Sequence, residues 1–96
     1  MIDFEELKKQ YLILYYAVRE YGDSTNSSQL KSLEQLLVEL DKESPDIKRI
    51  KDLNLSLYPP HDGISEFFVW DDNFEKRLDL NEPIDNAKKI TWEMLN

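Results

Sequence analysis

The chain carries one histidine, His61, and Asp62 follows it directly. A carboxylate beside an imidazole orients the ring and raises its pKa, which is where general-base chemistry starts. The rest of such a site is missing nearby. Ser56 and Ser65 are the closest hydroxyls, and no glycine-rich loop is at hand to shape an oxyanion hole. Pro59-Pro60-His61-Asp62-Gly63 reads instead as a turn. With no cysteine there is no thiolate nucleophile, no disulfide framework and no cysteine-ligated zinc. One imidazole among scattered carboxylates lacks the spacing of a zinc site, and Asp71-Asp72-Asn73 lacks the glycine and closing Glu of a calcium loop. Carboxylate pairs that could hydrolyse a glycoside are too numerous to single one out. The sequence therefore predicts no catalytic residue, no cofactor and no metal. A small ligand-binding or hydrolytic domain centred on His61 is the enzymatic alternative.

Phe67-Phe68-Val69-Trp70 points to a different kind of chemistry. Successive side chains of a strand alternate sides, so four large apolar residues in a row put bulk on both faces. One face must pack on the rest of the fold, and the other is either covered by the last helix or left as a patch. Around it lies acid: residues 61–80 hold six carboxylates against Lys76 and Arg77, a net −4 and half of the chain's −8. An aromatic centre with an acidic rim has the composition of a protein-recognition surface, steering a basic partner and anchoring it on rings. The partner-binding set read from the sequence is Glu66, Phe68, Trp70, Asp71 and Asp72. Of the tyrosines, Tyr16 falls off the main apolar stripe of its segment and is placed to face a groove, whereas Tyr11 and Tyr15 belong to the core. The competing account is a self-associating structural protein, a homodimer joined through the aromatic strand or through the nearly all-apolar first helix. Nucleic acid is disfavoured, because residues 45–60, with Lys48, Arg49 and Lys51, reach only +1.

These residues need elements to position them. The chain has 96 residues, 41% of them hydrophobic and 33% charged, which fits a single globular domain, residues 1–96. Phe4, Leu7, Tyr11, Leu14, Val18 and Tyr21 recur at three- and four-residue steps. They predict a helix over 4–21, started by Asp3 and Glu6 and ended by a positive φ at Gly22. It is apolar nearly all round and so belongs in the middle of the fold. Leu30, Leu33, Leu36, Leu37 and Leu40 predict an amphipathic helix over 28–43, with Lys31, Glu34, Gln35 and Glu39 on its solvent side. Ser44-Pro45-Asp46 predicts a third over 45–54, Ser44 capping and Pro45 in the first helical position.

The β-branched and aromatic run Ile64–Trp70, a turn at 71–73 and the alternation of Phe74, Lys76, Leu78 and Leu80 predict a β-hairpin. A short helix over 73–79, begun by Asp72 and Glu75, is the rival. Asn81 and Pro83 then open a closing helix that buries Ile84, Ala87, Ile90, Thr91 and Met94. The expected fold class is α+β: three N-terminal helices, a hairpin or short extended segment, and a C-terminal helix.

The acidic start Asp3-Phe4-Glu5-Glu6 argues against a secretory signal, and the longest apolar run, Tyr11–Val18, is too short to span a bilayer. The expectation is a cytoplasmic protein with no membrane partner. The stretch Tyr58–Phe67, then Leu80-Asn81 and a closing segment bearing Trp92, resembles short acidic bacterial proteins, some from toxin–immunity or phage-defence settings. That resemblance covers residues 58–96. It implies helices first, a glycine-bearing turn, an extended segment and a last helix, with no catalytic residue to carry over. His61-Asp62 stands where the similar sequences are richer in glycine.

Overall fold

A computed structural model describes residues 2–59 and 63–96. Four α-helices make the frame: α1 Phe4–Tyr21, α2 Ser27–Leu40, α3 Ile47–Ser56 and α4 Phe74–Leu95. Helix α1 is central, with α2 and α4 packed against it and α3 packed on α2. This is the position its nearly all-round apolar surface demands. Leu7, Tyr11, Leu14 and Val18 of α1 meet Leu33, Leu36 and Leu40 of α2, Ile50 of α3, and Ile84, Ala87 and Leu95 of α4 in one core. No helix among the described residues is long and apolar enough to cross a membrane.

The α+β expectation is overturned, because the described residues contain only helices and short 3₁₀ turns. Ile64–Glu66 is a 3₁₀ turn rather than the start of a strand, and Phe74–Leu80 forms the first two turns of α4. The physical reason lies at Asn73. Its side chain accepts the Lys76 amide at 3.0 Å and its carbonyl accepts the Arg77 amide at 2.9 Å, a complete helix start with Glu75 in the first turn. Glu75, Lys76, Arg77 and Leu78 are all good helix formers. The rival helix over 73–79 was nearer, but Asn73 caps it in place of Asp72, and it runs on through Pro83 into the closing helix. Asn81 is therefore an interior residue of α4 and not its cap.

Three smaller expectations also change. Gly22 ends α1 with φ −77° and ψ 169°, an ordinary extended conformation. A side chain there is excluded by space, since a Cβ would sit 2.4 Å from the Val18 carbonyl oxygen. Helix α2 stops at Leu40, before the predicted 43, and α3 is shifted by two residues because Asp46 caps it. The Asp46 carboxylate accepts from the amides of Lys48 and Arg49, at 3.0 and 3.4 Å.

Glu39, placed on the solvent face by pattern, is buried. Its carboxylate accepts from Lys42 Nζ at 3.0 Å and the Asp46 amide at 3.2 Å, and it pairs with Arg49 Nε at 3.3 Å. One side chain thus ties the end of α2 to the start of α3. The Asp46 amide, then Lys42, then Arg49 stabilise the anion and hold the Glu39 carboxyl below the ordinary glutamate value. A pKa depressed by folding contributes stability that is full above the unfolded value, about 4.3, and is lost as pH falls through the folded one. Glu39→Gln is expected to lower the urea midpoint at pH 7 and to flatten its fall on acidification below about pH 4.3. A variant as acid-sensitive as the parent would remove Glu39 from this role.

A second polar tie crosses the core. Tyr11 Oη donates to Asn54 Oδ1 at 2.6 Å, and both residues are buried. Burial also pushes the Tyr11 hydroxyl pKa far up. Tyr11→Phe leaves the Asn54 oxygen without its donor and should cost roughly 1–3 kcal/mol in chemical denaturation.

Candidate recognition surface

The stretch 67–70 forms no strand; Phe67 opens it in extended conformation (φ −67°, ψ 128°), and what it pairs with is a helix. Phe67 and Val69 are buried in the core while Phe68 and Trp70 are 56% and 68% exposed, the alternation expected of extended backbone. Asn81 of α4 supplies what a neighbouring strand would have supplied. Its Oδ1 accepts the Val69 amide at 2.9 Å, and its Nδ2 donates to the Val69 carbonyl at 2.8 Å and to the Arg77 carbonyl at 2.8 Å. Two turns further along, half-buried Lys88 donates to the Phe67 carbonyl at 2.8 Å. Burial, partly offset by Asp85, lowers the pKa of this lysine.

Clamped in this way, the segment and the first half of α4 enclose an open groove of about 610 Å³. Phe68, Phe74 and Leu78 supply its apolar wall, Glu82 and Asp85 its acid, and Arg77 its one base. The Arg77 guanidinium lies 4.3 Å from the centroid of the Trp70 ring and 5.2 Å from that of Phe74, so one cation stacks on both rings. The Trp70 indole N–H in turn donates to Asp72 at 3.3 Å. Trp70 and Phe74 thus already have partners within the chain.

The sequence-derived set is brought together in part. Phe68, Trp70 and Asp72 share the surface. Asp71 is turned to its own chain, accepting the Asn73 amide at 2.9 Å and pairing with Lys76 at 3.6 Å. Glu66 lies on the 3₁₀ turn, exposed. Sequence reasoning missed Phe74, Arg77 and Leu78, which a hairpin would have scattered over two faces. Their three- and four-residue steps, continued by Asn81, Glu82 and Asp85, were the available signal.

Elsewhere Tyr16, 60% exposed, lines a shallow concavity with Arg19, Glu20 and Tyr21 of the same helix. Its lining comes from one flank of α1 alone, with no second wall. His61 and Asp62 lie outside the described residues. Among the described residues no three acidic or imidazole side chains converge as metal ligands would. Arg49 and Lys88, two bases that a nucleic-acid surface would need, are engaged by Glu39 and by the Phe67 carbonyl. Comparison with protein-family models, with curated proteins and with solved structures gave no match to this chain.

Proposed function

We propose that this chain is a non-enzymatic protein-binding module, immunity-like or regulatory, working in the cytoplasm on a basic protein partner. One observation carries the reading: Phe68, Trp70, Phe74 and Leu78 are all more than half exposed, and all lie within residues 68–78. Exposed aromatics that cluster at a groove mark interaction sites, whereas single ones are ordinary. Arg77 holds Trp70 and Phe74 in fixed positions, which reduces the side-chain entropy lost on binding. Glu82 and Asp85 line the groove and Asp72 holds the Trp70 indole, so that a lysine- or arginine-rich partner is drawn in.

Selection of a twelve-residue random peptide library on the immobilised protein tests this. Sequences combining apolar residues with Lys or Arg should enrich on the parent protein and not on Phe74→Ser/Leu78→Ser, and their binding should weaken as salt rises. Equal enrichment on that variant, or none on the parent, would end the recognition reading.

A further inference from the structure

We propose that Phe68–Trp70 is a docking edge to which a basic partner adds an extended strand through backbone hydrogen bonds. This rests on the recognition reading above and specifies the form of the ligand. In extended backbone the N–H and C=O of one residue point to one side, and those of the next residue to the opposite side. Both backbone groups of Val69 face Asn81. Those of Phe68 and Trp70 therefore face away from it, and among the described residues no protein group bonds to them. One edge of this short segment is closed by a side-chain amide acting as a strand, and among the described residues nothing bonds to the other.

Open edges invite pairing with any second strand, and proteins commonly guard them with charge. Within residues 66–77 Glu66, Asp71, Asp72 and Glu75 flank this one against Lys76 and Arg77, and Lys88 lies on the closed side at the Phe67 carbonyl. A second copy of the chain would bring like charge to like charge, whereas a strand carrying Lys or Arg meets its complement. In such docking the backbone bonds supply affinity, and alternate side chains of the incoming strand, lying beside Phe68 and Trp70, supply selectivity.

The probe is a peptide from the selection above, synthesised with one backbone amide N-methylated at a time. Strand docking predicts a two-residue rhythm: methylation at alternate positions lowers affinity about tenfold or more, the equivalent of one lost hydrogen bond, and the intervening positions tolerate it. On the protein side, amide exchange at Phe68 and Trp70 should slow about tenfold when peptide binds, while Val69, already bonded to Asn81, changes little. A peptide that binds with no rhythm and leaves those amides unprotected overturns the strand proposal and leaves the recognition reading standing. Failure to select any peptide overturns both. Protection that grows with protein concentration in the absence of peptide would assign the edge to a second copy and overturn the basic partner.

Discussion

Asn81→Leu is expected to lower the unfolding free energy by about 3–5 kcal/mol, measured from urea denaturation. The side chain is 5% exposed, so water cannot take over its bonds. Removing it leaves the Val69 amide and carbonyl without their partner, and each buried orphan costs about 1–3 kcal/mol. Leucine has a similar volume, so the loss reports the polar bonds rather than a cavity. Domains of this size are stable by only about 5–15 kcal/mol, and the variant gives up a large part of that. Near-parental stability would mean that the extended segment does not depend on this side chain. The same substitution frees Phe68 and Trp70 from their fixed places, so peptide affinity should fall with it.

Trp70→Ala separates binding from folding. The ring is 68% exposed, so its loss should change stability by less than about 0.5 kcal/mol. An aromatic anchor at the centre of an interface is typically worth about 2 kcal/mol or more, so affinity for a selected peptide should drop about 30-fold by titration calorimetry. Most of that loss should appear as faster dissociation. Arg77→Gln keeps the helix but removes the cation stacked on Trp70 and Phe74, for a smaller loss of about 0.5–1 kcal/mol. Parental affinity in Trp70→Ala would place the binding energy elsewhere.

The parts of the fold that could be read from the residues are those governed by long, single-period patterns. Helix α1 repeats its apolar step over five turns, and α2 does so with leucines alone, leaving no competing period. The stretch 64–80 was ambiguous for a physical reason. Over seven residues, Phe74, Lys76, Leu78 and Leu80 satisfy a two-residue alternation, while Phe74 and Leu78 equally satisfy a four-residue step. The extended character of 67–70 was legible, and so was its in–out alternation. What completes it was not, because the pairing group is an asparagine side chain twelve residues away in sequence. Glu39 escaped for a related reason: its burial depends on three donors gathered by a loop, which no periodicity announces. At the candidate surface Phe68, Trp70 and Asp72 could be named in advance, whereas Phe74, Arg77, Leu78 and the groove's acids Glu82 and Asp85 became visible only once the hairpin gave way to α4.

Amide chemical-shift mapping tests the central claim most directly: uniformly ¹⁵N-labelled protein is titrated with a selected basic peptide and every shifted residue is located. The largest changes should fall on residues 67–70 and on the groove-facing side of α4 from Phe74 to Asn86. Changes centred instead on Tyr16 and Tyr21, or on the α2–α3 junction around Glu39, would contradict the account.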